Sequence, residues 1–151
     1  GDPQGQQMMD SLNQLSDMIR RQQELMDRTF QAQRGQNGDP SEDGKPMTRQ
    51  ELEQALKDLQ QGQQDLAKRL QQLTEQMESM GMPQNGKLGQ AGEAMGRAGE
   101  ALGGRNPGAA VGEQGTALDQ LRQGAQSLSQ QLANRGQGMG QAEMDTPVGG
   151  G

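Results

Sequence analysis

The segment from Thr48 to Met80 constrains the fold more than any other part of the chain. It begins T-R-Q-E, in which Thr48 and Glu51 have the spacing of a capping box, a pair of side chains that satisfies backbone N–H groups at a helix start. Apolar residues then recur at alternating steps of four and three, with Gln63 as the one polar position: Leu52, Leu56, Leu59, Leu66, Leu70, Leu73, Met77 and Met80. This heptad pattern predicts a long amphipathic helix over residues 48–80 that packs against another helix.

A second helix with the same spacing is predicted over residues 6–33. Gln22 is the polar position of its apolar seam, which contains Met8, Leu12, Leu15, Ile19 and Met26. Residues 34–47 hold three Gly and two Pro, which predicts a loop. Because extended chain spans about 3.3 Å per residue, this loop easily joins two helices packed about 10 Å apart. Residues 1–80 are therefore predicted to form an antiparallel helical hairpin.

The two polar seam residues predict a register for this hairpin. An antiparallel alignment that pairs Gln22 with Gln63 also joins apolar residues in the other layers: Met8 with Met77, Leu12 with Leu73, Leu15 with Leu70, Ile19 with Leu66 and Met26 with Leu59. Shifting the alignment by one heptad would place each amide against leucine and leave it unpaired, at a cost of about 1–3 kcal/mol. We therefore predict Gln22 and Gln63 as a register pair. Pairing within one chain and pairing between two chains both satisfy the pattern.

A second hairpin is predicted over residues 81–134. A duplicated heptad, A-G-E-A-M-G-R followed by A-G-E-A-L-G-G, predicts a helix over 87–103, and Asn106-Pro107 has the order of an N-cap and a first helical residue. The last helix, over 107–134, has a seam of Val111, Gln114, Leu118, Leu121, Ala125, Leu128 and Leu132. Helix 87–103 also has a glycine stripe, Gly89, Gly92, Gly96, Gly99 and Gly103. The stripe fits either a closely approaching neighbour or a weak, partly disordered helix.

The fold class predicted is all-α: two successive antiparallel helical hairpins with coiled-coil-like seams and flexible loops. Residues 135–151 are Gly-rich and predict a disordered C-terminal tail. The chain begins Gly1-Asp2-Pro3 instead of Met, so we expect a processed product or a piece of a longer protein. Leu, Ile, Val and Phe account for only 19 of 151 residues. That composition also fits a disordered segment that folds on binding a partner.

Charge and composition argue against several function classes. The net charge is −6 and no basic stripe is present, which disfavours nucleic-acid binding. No run of 18 apolar residues occurs, so we expect no direct membrane insertion by this segment. His and Cys are absent, which excludes nucleophilic catalysis of the Ser-His or Cys-His kind. We expect no enzymatic activity and no cofactor.

The methionines Met77, Met80 and Met82 are the one candidate ligand cluster. Thioether sulfur favours Cu(I), and this spacing resembles methionine motifs of envelope copper proteins. Met77 and Met80 are also seam residues, for which packing is a sufficient role. A methionine-based Cu(I)-handling module is therefore an alternative function.

Four stretches of the chain carry a family resemblance: Q-Q-M-M-D-S-L-N-Q-L at 6–15, D-L-Q-Q-G-Q-Q-D-L-A-K-R-L at 58–70, G-E-A-M-G-R-A-G-E-A-L at 92–102 and A-L-D-Q-L-R-Q-G-A-Q-S-L-S-Q-Q-L at 117–132. The chain resembles the C-terminal region of large bacterial membrane-anchored proteins in family 4175 of domains of unknown function. The resemblance implies transmembrane helices upstream and a Gln-rich helical region outside the cytoplasmic membrane, in the periplasm or cell envelope. It implies no ligand and no catalytic residue.

The expected function is a non-enzymatic helical scaffold or protein-interaction region of a larger bacterial envelope protein. The expected partner is a protein, either a second copy of this chain or another helical protein.

Overall fold

The computed structural model describes residues 3–38, 44–82 and 85–150, and the side chains it describes end at residue 134. These residues form four helices: α1 (Pro3–Gln36), α2 (Arg49–Ser79), α3 (Gly86–Gly103) and α4 (Pro107–Gly150). The predicted all-α class is confirmed. Residues 39–43, part of the predicted loop 34–47, lie outside the described residues.

The four helices form one up-down-up-down bundle. Helix α1 packs against α2 and α4, and α3 packs against the same two helices. The main apolar core includes buried residues from every helix, among them Leu15, Leu70, Met95 and Leu121. The two predicted hairpins are therefore present, but they share one core.

The helix starts follow the predicted capping chemistry. The Glu51 N–H donates to Thr48 Oγ1 (3.1 Å), and the Thr48 N–H donates to Glu51 Oε1 (3.2 Å), which confirms the capping box. The Ala109 N–H donates to Asn106 Oδ1 (3.1 Å), and α4 begins at Pro107 as predicted. Helix α2 ends at the expected place because Gly81 has φ +80°, a conformation that favours glycine.

Helix α1 is longer than the sequence predicts. Helix α1 begins at Pro3 instead of residue 6, because proline suits the first turn of a helix. Helix α4 extends to Gly150, and its described side chains end at residue 134, where the sequence predicts the end of the helix. Disorder is predicted for residues 135–151, a segment whose side chains are outside those that the structure describes.

The predicted seam of α2 is the buried face of that helix. Leu56, Leu59, Leu66, Leu70, Leu73 and Met77 are all buried, and Leu52 is half-buried. Its heptads predict burial well because the buried stripe of α2 is narrow.

The buried face of α1 differs from the predicted seam. Met8 and Leu15 are buried, but Leu12, Ile19 and Met26 are only partly buried, and Met18 is fully buried instead. From Met8 to Gln22 the buried residues of α1 also recur at steps of three and four, but Ser11 and Met18 take the places predicted for Leu12 and Ile19. Met26 Sδ lies 3.9 Å from the Cβ position of Gly115 on α4, whereas Leu25 approaches Gly62 of α2. Met26 therefore contacts α4, and its predicted pairing with Leu59 stays a prediction.

The glycine stripe of α3 is used in part for close packing. A Cβ built on Gly103 would lie 2.5 Å from Gln60 Nε2 of α2, and one on Gly92 would lie 3.8 Å from Leu70 Cδ2. Gly89 and Gly96 have no neighbour within 4 Å of that position. The sequence leaves open whether the stripe allows a neighbour to approach closely or weakens the helix. Close approach applies to the glycines that face α2.

Because the seams of all four helices meet within one chain, we expect the helices to form without a second copy of the chain. We expect far-UV circular dichroism to show high helicity that does not change over a hundredfold dilution of the protein. Helicity that falls on dilution would show that the helices pair between chains. Low helicity at every concentration would favour the disordered segment that folds on binding.

Candidate functional site

A layer of three buried glutamines crosses the middle of the bundle. Gln22, Gln63 and Gln114 have 0% exposure. Gln22 Nε2 donates to Gln63 Oε1 (3.0 Å), and Gln63 Nε2 donates back to Gln22 Oε1 (2.8 Å). Gln114 Nε2 donates to the same Gln63 Oε1 (3.2 Å). The layer thus joins α1, α2 and α4.

The structure brings together the two glutamines that the sequence proposed as a register pair. The third member, Gln114, was identified only as a seam position of α4. The sequence signal for Gln114 is the one that identified Gln22 and Gln63. Gln114 is the single polar residue in the heptad series of α4. Sequence reasoning treated the hairpins separately and therefore did not connect it to Gln63.

The layer has one unsatisfied atom. Gln63 Oε1 accepts two hydrogen bonds and so uses both of its lone pairs, while the buried Gln114 Oε1 has no partner. A neutral acceptor left unpaired in the interior costs about 1–3 kcal/mol. Carboxamides do not ionise near neutral pH, so the layer aligns helices and offers no general acid or base.

An open groove lies between α1 and α2 on the outside of the bundle. It has a volume of about 630 Å³ and an apolar floor formed by Leu25, Ala32, Leu59 and Leu66. Gly62 lies on this floor, where a Cβ would come within 3.0 Å of Leu25 Cδ2. Helix α2 also contributes two small residues, Gly62 and Ala55, to the lining.

The two walls of the groove carry opposite charges. Arg21 and Arg28 lie on the α1 wall, with Glu24 between them, and Asp58 and Asp65 lie on the α2 wall. The two aspartates accept hydrogen bonds from glutamines four residues earlier on their own helix, at 2.9 and 3.0 Å. Among the described residues, no ion pair joins these arginines to these aspartates. Because Glu24 lies on the α1 wall and Arg69 on the α2 wall, the two walls have formal charges of +1 and −1, and we call them the basic and the acidic wall.

One ion pair closes the groove at its end. Arg69 Nη1 of α2 donates to Asp17 Oδ2 of α1 (2.7 Å), and Arg21 Nε lies 3.8 Å from the same oxygen. The hydrogen bond from Arg69 lowers the pKa of the Asp17 carboxyl below its usual range. Asp17 is thus held ionised and links α1 to α2.

The ion pair predicts that the stability of the folded state depends on pH. Because the pKa of Asp17 is lower in the folded state than in the unfolded chain, the pair stabilises fully above the unfolded-state pKa. This contribution is lost as the pH falls through the lowered folded-state pKa. We expect Asp17→Asn to lower the urea midpoint at neutral pH, and the difference from the wild type to disappear in strong acid. In an Arg69→Gln background the same substitution should have little effect at any pH, and an unchanged effect there would assign the pKa shift to another cause.

The candidate copper ligands lie in or beside the apolar core. Met77 and Met82 are buried, and the partly buried Met80 packs against the same core. Each therefore has a packing role in the bundle. In the described part of the chain, no group of three or more His, Cys, Asp or Glu residues is placed to hold a metal ion. None of the described helices has the length and apolar character needed to cross a membrane.

Comparison with known proteins places the chain in a family. Neither the curated proteins nor the solved structures include a match to this chain. A family model described as "Domain of unknown function (DUF4175)" matches residues 1–150. The match covers nearly the whole sequence, and the chain belongs to this family.

Proposed function

We propose that this chain is a non-enzymatic helical module that binds another protein within a larger bacterial envelope protein, and that it does so through the groove between α1 and α2. The proposal rests on one observation, that this groove is open and has apolar residues in its lining. Every helix already packs against two neighbours, yet the partly exposed Leu25 still faces an open channel, with the buried Leu59 and Leu66 beside it. Burying such surface under a partner is favourable by about 25 cal/mol per Å².

The bundle is a suitable support for such a groove. Helix α2 has 31 residues, which corresponds to about 46 Å at 1.5 Å per residue. The glutamine layer links three of the four helices, so the walls of the groove keep their alignment. A binding site on rigid helices holds its geometry better than one on loops. The same rigidity suits a spacer between other parts of the parent protein.

The envelope location is part of the proposal. It rests on the resemblance of the four sequence stretches to the extracytoplasmic region of membrane-anchored proteins. Fractionation of the native host, with the parent protein detected by an antibody against this bundle, tests the location. Protease protection in intact cells and loss of protection after outer-membrane permeabilisation are the expected results.

Site-specific photocrosslinking in the full-length parent protein tests the binding function. A photoreactive residue at Ala55, in the groove, is expected to give a discrete crosslinked product in living cells. The same residue at Gln126, exposed on α4, is the control and should not give that product. Adding Gly62→Leu, whose side chain would push Leu25 from the floor into the groove, should abolish the Ala55 product. Equal products from both positions, or a product insensitive to Gly62→Leu, would overturn the proposal.

A further inference from the structure

We propose that the groove binds an amphipathic helix whose apolar face has acidic residues along one edge and basic residues along the other. This inference rests on the proposed binding function and specifies the chemistry of the partner. Its basis is the combination of shape and charge in the groove.

The shape of the groove fits a helix. Its lining residues extend from Arg21 to Ala32 on α1 and from Ala55 to Arg69 on α2, which corresponds to about 17 and 21 Å of helix. A third helix of three to four turns would lie along this channel. Leu25 packs over Gly62, where its Cδ2 lies 3.0 Å from the position of a Cβ, so Leu25 is the apolar contact that the ridge of such a helix would meet.

The charges define the edges of the bound helix. The edge above α1 meets Arg21 and Arg28 and should be acidic, whereas the edge above α2 meets Asp58 and Asp65 and should be basic. Reversing the direction of the helix exchanges its two edges. The charged walls therefore select one direction of binding.

The same walls select against other classes of partner. A nucleic acid or an anionic lipid surface presents negative charge on every side and would be repelled by Asp58 and Asp65. A second copy of this chain that presented its own groove would place two hollows face to face, and neither would be filled. A separate helix with a single apolar ridge satisfies both the floor and the walls.

Three synthetic helical peptides with one shared apolar face test the inference. The first has a Glu row on one edge and a Lys row on the other, the second has Lys on both edges, and the third has Glu on both. Binding to the intact chain is measured by fluorescence anisotropy at low salt. We expect the mixed peptide to bind about tenfold more tightly than either of the others, because each uniform peptide places like charges together at one wall.

Charge reversal of one wall provides the matched variant. Arg21→Glu with Arg28→Glu makes both walls acidic, and circular dichroism checks that the helices remain. This variant should prefer the all-Lys edges by a similar factor. Gly62→Leu should abolish binding of all three peptides, whereas Gly89→Leu, placed in open space on α3, should not.

Three results would overturn the inference. The first is equal binding of the three peptides. The second is a charge-reversed variant that still prefers the mixed peptide. The third is a dimer of the chain alone that Gly62→Leu dissociates, which would make a second copy the occupant. If the peptides fail while the Ala55 crosslink persists, the chain binds a protein of different chemistry. If both fail, the proposed function fails as well.

Discussion

Replacing Gln63 by leucine is expected to lower the free energy of unfolding by about 3 kcal/mol. The substitution removes the partner of three buried polar atoms at once: Gln22 Oε1, Gln22 Nε2 and Gln114 Nε2. Each neutral group left unpaired in the interior costs at least about 1 kcal/mol. The added leucine side chain offsets only part of this cost. Urea unfolding followed by circular dichroism measures the difference.

The same layer offers two control variants. Gln114→Leu removes one hydrogen bond and also removes the unpaired Oε1, so we expect a change of less than about 1 kcal/mol. Replacing Gln22, Gln63 and Gln114 together by leucine removes every partner and should restore most of the stability lost in Gln63→Leu. If Gln63→Leu were as stable as Gln114→Leu, the three amides would not form the hydrogen-bonded layer.

Gly124→Ala is expected to destabilise the bundle by about 1–3 kcal/mol, the usual cost of overpacking a core. A Cβ at Gly124 of α4 would lie 2.5 Å from Leu88 Cδ2 and 2.9 Å from Leu88 Cγ. Leu88 is 1% exposed and packs in the main apolar core. Asn85 Nδ2 also donates to the Gly124 carbonyl (3.1 Å), which holds the start of α3 against α4. The clash outweighs the gain of about 0.5–1 kcal/mol from replacing a helical glycine.

Gly112→Ala on the same helix is the matched control. Gly112 is exposed, and a Cβ there has no neighbour within 4 Å. This variant should be more stable than the wild type by about 0.5–1 kcal/mol, since only the helix propensity changes. Thermal unfolding of the two variants side by side measures the contrast. An increase in stability for both would mean that α3 and α4 are farther apart than described.

The sequence predicts local features of this fold well. The capping box at Thr48 and the buried face of α2 both follow from short patterns, because capping involves residues three apart and heptads describe one helix surface. The sequence also proposes Gln22 and Gln63 as partners, since the only polar residues of two apolar seams are costly to bury separately. These features depend on at most two helices.

Other features of the fold are missed. The sequence does not predict the partial burial of Leu12 and Ile19 or the full burial of Met18. The buried stripe of α1 includes Ser11, Thr29 and Ala32, which are small or polar, so a search for large apolar residues places the stripe one position away. Gln114 was not connected to the polar layer because the two hairpins were predicted separately.

The groove shows a similar limit at the candidate site. Gly62 alone appears in the sequence as a weak point in a long helix. Only the aligned pair of helices shows that it lies opposite Leu25, between a basic and an acidic wall. Arg21, Arg28, Asp58 and Asp65 are ordinary surface charges until α1 and α2 are placed side by side. The site therefore depends on the register that the glutamines determine.

The glutamine layer also limits how helix lengths can change among related chains. A seven-residue insertion in α2 between Gln63 and Ser79 would keep the apolar pattern and the polar layer. It would, however, extend one end of α2 beyond the helices beside it, where its apolar residues would face water. We expect insertions and deletions to come in whole heptads and to occur together in neighbouring helices on the same side of Gln22, Gln63 and Gln114.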